Sequence, residues 1–210
     1  MRWNRLPKAL ILASFVVLAA SAPAKATFNY STSIVLTGIS PGGATTPNTA
    51  VFGTTIVTVG SAGQNGLAVP SINLGANIGT VNVQYVGSPG AGDSFFVDYT
   101  NTITITNLPP PGVVGVNSFV LTGRLTFSGI GSATPTITNQ FFAPTSSQKT
   151  VGGVDYIVSG DGFIVPTVNG AAGNLLADII AVPEPGSFAL LGIGGLAALG
   201  MLRPRRRKTA

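Results

Sequence analysis

Six carboxylates are present in this chain: Asp93, Asp98, Asp155, Asp161, Asp178 and Glu184. Histidine and cysteine are absent. That removes the usual general base, the commonest metal ligand and the thiolate nucleophile, and no Ser-His-Asp triad can be assembled. Paired carboxylates could still cleave a glycosidic bond or form an aspartic dyad. Asp93 and Asp98 are five residues apart, so a regular strand turns them to opposite faces. Asp155 and Asp161 are six apart across Ser159-Gly160, where a turn or bulge is expected. No Asp-Thr-Gly of the pepsin type occurs. No catalytic residue and no cofactor are therefore assigned, and the chain is expected not to be an enzyme. Calcium, which takes six to eight oxygen ligands, is a closer use of these side chains. Asp155 and Asp161 are its candidates, because Asp161-Gly162 follows Gly160 and offers a carboxylate on a tight turn. The spacing D-x-[DN]-x-[DN]-G is absent, and ordinary turn carboxylates are the plainer reading.

Aromatic rings are the other chemical resource. Phe95, Phe96, Tyr99, Phe141, Phe142, Tyr156 and Phe163 could line a sugar-binding platform. In Phe95-Phe96 and Phe141-Phe142 one ring of each pair faces outward if the pair lies on a strand. The plainer use is core filling. The only Trp, Trp3, lies in the N-terminal segment. Arg124, the only Arg between Thr27 and Val182, falls on the polar face of its segment and is expected to be solvated or paired with an Asp.

The elements that must hold these residues are strands. With 28 Gly and 15 Pro, long helices are opposed, since Gly costs about 1 and Pro about 3 kcal/mol in a helix interior. Phe119–Ser128 alternates: Phe119, Leu121, Leu125 and Phe127 share one face, and Thr122, Arg124, Thr126 and Ser128 the other. Asn101–Thr106 behaves likewise. Further strands are expected at Ser31–Thr37, Val51–Val59, Gly79–Val86, Ser94–Tyr99, Thr136–Phe142, Val154–Ser159 and Leu175–Ala181, rich in Val, Ile, Thr and Phe. Breakers such as Pro41-Gly42-Gly43, Ser88-Pro89-Gly90, Pro109–Gly112 and Gly152-Gly153 separate them. The expected fold is all-β, an antiparallel β-sandwich of jelly-roll type over residues 27–182. Thr and Asn stand where Lys and Glu would usually face solvent. Such a surface suits hydrated polysaccharide and leaves sheet edges thinly guarded, which favours edge-to-edge assembly.

Charge concentrates at the two ends. The stretch 27–182 holds two basic against five acidic residues, a net of −3. The chain's pI of about 10.0 thus describes its termini, not a nucleic-acid surface. Residues 1–26, MRWNRLPKALILASFVVLAASAPAKA, place a basic n-region before an apolar stretch and then Ala24-Lys25-Ala26. That order reads as a secretory signal peptide cleaved after Ala26, leaving Thr27 first. Signal peptidase and the Sec machinery are the partners this implies. At the other end Phe188–Leu202 is apolar and uncharged. As a helix it reaches about 22 Å, against a hydrocarbon core of about 30 Å. Local thinning and a snorkelling Arg203 can close that gap. Arg203, Arg205, Arg206, Arg207 and Lys208 should stay on the cytoplasmic side. Pro183 and Pro185 keep the helix from starting earlier.

Val182-Pro183-Glu184-Pro185-Gly186-Ser187, an apolar span and an Arg-rich end together resemble the PEP-CTERM sorting signal of certain Gram-negative bacteria. The resemblance covers 183–210: the motif at 183–187, the transmembrane helix at 188–202 and the basic tail at 203–210. It implies recognition of Pro183, Glu184, Pro185 and Gly186 by a membrane-embedded exosortase, and association with exopolysaccharide or biofilm. The expected function is that of a non-enzymatic exported surface or extracellular-matrix protein, first membrane-anchored and then at the cell surface or outside it. A carbohydrate-binding module of jelly-roll type and an uncleaved single-pass surface protein are the alternatives.

Overall fold

The computed structural model describes residues 27–68, 71–88, 92–108 and 114–183. Ala24, Ala26, Glu184, Pro185, Gly186, the span 188–202 and the basic block 203–208 lie outside the described residues. The described chain is all strand and turn, with no helix in it. Its elements are β1 (Thr27–Ser40), β2 (Ala44–Thr45), β3 (Thr49–Phe52), β4 (Thr55–Gly60), β5 (Gly63–Ala68) and β6 (Ser71–Tyr85), followed by β7 (Asp93–Leu108), β8 (Gly115–Ile130), β9 (Thr136–Phe141), β10 (Ser146–Val151), β11 (Val154–Ile164) and β12 (Gly173–Pro183). They form two antiparallel sheets. Sheet A has the order β5-β1-β7-β8-β9, and sheet B the order β10-β11-β12-β6-β4-β3-β2.

The alternation seen in the sequence sets the inner faces. On β7, Phe95, Val97, Tyr99, Ile103 and Ile105 are buried; on β8, Phe119, Leu121, Leu125 and Phe127. Sheet B answers with Val57, Ile78, Val81, Val83, Tyr156, Val158, Leu175 and Ile179, in one continuous cluster. Apolar packing has no direction, so it does not fix how one sheet sits over the other. Three hydrogen bonds across the core do. The Asn101 Nδ2 donates to the Ile78 carbonyl at 2.6 Å, the Asn107 Nδ2 to the Val151 carbonyl at 3.0 Å and the Tyr30 hydroxyl to the Asn77 carbonyl at 3.1 Å. A shift of either sheet would strand these groups in the core, where an unpaired polar atom costs about 1–3 kcal/mol.

Several expected elements change. Ser94–Tyr99 and Asn101–Thr106 are one strand, β7, because Thr100 continues the alternation. Val51–Val59 is a hairpin: Gly53 takes φ +56° and turns β3 into β4. An added Cβ there would sit 2.6 Å from Asp93 Oδ1. β2, β5 and β10 are edge strands with too few apolar residues to announce themselves. The jelly-roll expectation reduces to two stacked antiparallel sheets. β2-β3-β4, β7-β8-β9 and β10-β11-β12 are meanders of consecutive strands, each within one sheet.

The sandwich has two distinct ends. At one, here the tail end, β1 begins, β7 finishes at Leu108 and β12 finishes at Pro183, whose register partner is Val154. At the far end stand Asp93, Tyr85 and Ile130.

Candidate functional site

The five carboxylates of the body do not converge. Asp93 Oδ2, at the far end, accepts from Thr54 N–H at 3.1 Å, Thr54 Oγ1 at 3.3 Å and Thr55 Oγ1 at 2.7 Å, tying sheet A to sheet B. Asp98 faces outward from sheet A, as the five-residue spacing predicts. It takes both Arg124 Nε at 2.7 Å and Nη2 at 3.0 Å, from the residue directly opposite it on β8. Asp155 accepts from Thr150 Oγ1 at 2.5 Å. Asp178 accepts from the Gly75 N–H at 3.0 Å, filling a bulge in which Leu74-Gly75 faces a single residue of β12 and Gly75 takes φ +64°. Asp161 is exposed at a second bulge, between Gly160 and Gly162. Six residues of strand separate Asp155 from Asp161, roughly 20 Å, so the structure does not bring these two calcium candidates together. Among the described residues no three His, Cys, Asp or Glu side chains cluster to hold a metal.

The aromatic rings divide as the strand parity requires. Phe95, Tyr99 and Tyr156 are buried, and Phe141 and Phe163 are half-buried against the core. Phe95 stacks between Phe52 and Phe127, with centroids 4.9 and 4.7 Å away. Phe96 and Phe142 take the outward face and flank Arg124, whose Cζ lies 3.6 Å over the Phe96 ring and 5.6 Å from that of Phe142. The guanidinium thus occupies the Phe96 ring face that a sugar would stack on. Its pairing with Asp98 holds the Arg124 pKa above its ordinary value. Burial pushes the Tyr156 hydroxyl up to about 12 and raises those of Tyr99 and Tyr30 as well, with the Asn139 hydrogen bond partly opposing burial at Tyr99.

A shallow groove at the far end is lined by Asn82, Gln84, Tyr85, Val86, Asn169 and Gly170. Its Asn169 already serves the fold. Asn169 accepts from the Tyr85 N–H at 2.6 Å and donates to the Tyr85 carbonyl at 2.9 Å, mimicking a strand partner.

Lys149 has a role that the sequence did not announce. β9 covers the outer edge of β8 only over Gly123–Ser128. At Ser118, beyond that cover, the N–H donates to Asn117 Oδ1 at 2.9 Å and the carbonyl accepts from Lys149 Nζ. An inward-pointing charge on a neighbouring edge strand is a known guard against edge pairing. The edge expected to be unguarded is therefore plugged by the one Lys of the body.

The remaining candidate is the tail itself. β12 lies inside sheet B between β11 and β6 and runs to Pro183, so the first proline of the expected sorting motif is still paired to the fold. Thr27, the expected first residue after signal cleavage, opens β1 and pairs with Leu108 and Ala68. No curated protein and no solved structure matches the chain. A model of the PEP-CTERM protein-sorting motif matches residues 181–207. The match begins within β12, covers Pro183, Glu184, Pro185, Gly186, Arg203, Arg205, Arg206 and Arg207, and stops one residue before Lys208. The chain is therefore a PEP-CTERM sorting domain-containing protein, and the matched segment begins within β12, the last of the described strands.

Proposed function

We propose that this chain is a non-enzymatic surface or extracellular-matrix protein, delivered through its tail to a surface rich in exopolysaccharide. In this reading the Sec machinery exports it and signal peptidase cleaves after Ala26. Phe188–Leu202 then spans the membrane as a helix, with Arg203–Lys208 as its cytoplasmic stop. An exosortase-like enzyme recognises Pro183–Gly186 and processes the precursor. The observation that carries the reading is the sorting match at residues 181–207. The dispersal of the five body Asp, four of them engaged in hydrogen bonds within the fold, supports a structural role for the domain. Intact mass from native cells and medium tests it, with a Glu184→Ala, Pro185→Ala double variant alongside. A species starting at Thr27 and ending near Pro183–Gly186, lost in the variant, is expected. A membrane-bound form that keeps Arg203–Ala210 in both would leave an uncleaved single-pass protein instead.

One observation favours carbohydrate binding as a second reading. Thr100, Thr102, Thr104 and Thr106 line the outward face of β7, with Ser31, Ser33, Thr122 and Ser118 opposite them on β1 and β8. A sheet face of hydroxyls next to the half-buried Phe142 ring matches the hydrogen-bonding pattern of a neutral glycan. Retention on neutral polysaccharide that falls with Thr102→Val and Phe142→Ala would support this reading. Unchanged retention would remove it.

A further inference from the structure

Five of the twelve large apolar side chains left exposed among the described residues lie at the tail end: Ile72 and Val182 on the outer face of sheet B, Leu108 and Val116 on that of sheet A, and Val114 just before β8, whereas Val51, Val86, Ile164 and Val165 lie toward the far end. Ile72 is 69% exposed and Val116 62%, values that no lone core residue would show. Ile72 also continues a cross-strand row on the outward face of sheet B, opposite Ile180, which is itself opposite Ile157. Two carboxylates border this surface, Asp155 opposite Val182 and Asp178 opposite the Leu74-Gly75 bulge. Asp155 is held by Thr150, Asp178 by Gly75, and Lys149 by the Ser118 carbonyl.

The sequence brings this end close to the bilayer. Only residues 184–187 separate Pro183, the last paired residue, from Phe188, the first of the apolar run. Even fully extended, the five steps from Pro183 to Phe188 reach no more than about 17 Å. The headgroup layer takes up roughly 5–7 Å of that distance. β7 alone, at 16 residues, is about 53 Å long, so the domain is much larger than its tether. A rigid body held so closely by one end has that end at the lipid surface.

We infer that the tail end of the sandwich is a membrane-apposed surface, with Ile72 and Val182 on the rim of sheet B and Val116 on the rim of sheet A meeting the outer headgroup layer while the precursor is anchored. The inference rests on the anchored precursor of the proposed function. The contact is apolar, not electrostatic. A body of net −3 gains nothing from anionic lipid, whereas apolar area removed from water contributes about 25 cal/mol per Å². Seating of the contact is thus independent of salt and of lipid charge.

The absence of cysteine makes the test clean. The full chain is reconstituted into phosphatidylcholine vesicles as Ile72→Cys, Val116→Cys or, at the far end, Val86→Cys, each bearing an environment-sensitive fluorophore. Spin labels on the lipid headgroups serve as quenchers. Quenching at positions 72 and 116 several-fold above that at 86, unchanged in 0.5 M salt, is expected. Equally weak quenching at all three positions, with the chain floating with the vesicles, overturns the inference and leaves the anchor standing. Blue-shifted emission at 72 and 116 without lipid quenching also overturns it, and points to a second copy of the chain as the cover. Failure of the chain to float with vesicles overturns the anchored reading and the inference with it.

Discussion

At the far end of the sandwich, polar groups are closed off. Asp93 takes three donors from Thr54 and Thr55, Asn169 pairs both backbone groups of Tyr85, and Phe52, Phe95 and Phe127 stack behind them. At the tail end the same chain leaves work undone. Asn73 Nδ2, Asn107 Oδ1 and Tyr156 Oη are buried there without a hydrogen-bond partner among the described residues, and Ile72 and Val116 face outward. Buried orphans and exposed apolar groups are both costly in an isolated domain. Exposed apolar groups occur at both ends, with Val86, Ile164 and Val165 at the far one, but these three orphans lie toward the tail end, so stability is expected to reside at the far end.

That contrast can be broken by measurement. The largest effect is expected from Phe95→Ala, which removes the middle of the far-end stack and should cost about 3–5 kcal/mol in a urea melt. A loss below about 1 kcal/mol would move the centre of stability elsewhere. Asp93→Ala leaves the buried Thr55 hydroxyl without its acceptor and should cost about 2–3 kcal/mol.

Tyr99 and Tyr156 sharpen the comparison, because the same substitution should act with opposite sign. Tyr99→Phe loses the bond to Asn139 Oδ1, 2.9 Å away, and should cost about 1 kcal/mol, whereas Tyr156→Phe removes an orphaned hydroxyl and should be neutral or stabilising by up to about 1 kcal/mol. Both hydroxyls titrate above the ordinary value of 10.0 in the folded chain. The unfolded chain therefore releases protons that the folded chain keeps, and stability falls as pH rises. The urea midpoint should be level below about pH 9 and decline between about pH 10 and 12. The double Tyr→Phe variant should blunt that decline.

Smaller effects are expected at the edge and on the exposed face. Lys149→Ser should lower stability by less than about 1 kcal/mol yet raise self-association in sedimentation velocity, since it unplugs the edge at Ser118. An unchanged monomer would show that Asn117 alone guards it. Ile72→Ser should shift stability by less than about 0.5 kcal/mol, as a residue 69% exposed has little packing to lose.

The sequence was most readable where one face of a strand is buried. The two faces of Phe119–Ser128, the outward turn of Phe96 and Phe142 and the opposite facing of Asp93 and Asp98 all follow from a period of two. The Arg124–Asp98 pair was readable as a type of contact, though its register was not. Harder were the edges, where burial no longer dictates composition: Ser146–Val151 and Gly63–Ala68 are not among the expected strands, yet both are strands. Contacts between distant segments left no local trace. Asp93 meets Thr55 38 residues away, and Lys149 meets Ser118 31 residues away. No spacing rule connects them, because the sheet order that joins them is a property of the whole chain. The tail was readable for the opposite reason, since Pro-Glu-Pro, an apolar run and an Arg cluster are consecutive.

The position of β12 bears on the order of events during export. It is the last strand to be synthesised, yet it lies between β11 and β6, so sheet B is two unjoined pieces until it arrives. In the Sec export proposed above, the sandwich cannot close before β12 has emerged. Such late, long-range pairing is also intrinsically slow. In the same proposed order of export, the final ladder, Val154 opposite Pro183, forms only as the sorting motif emerges, so completion of the fold and presentation of the motif would coincide in time.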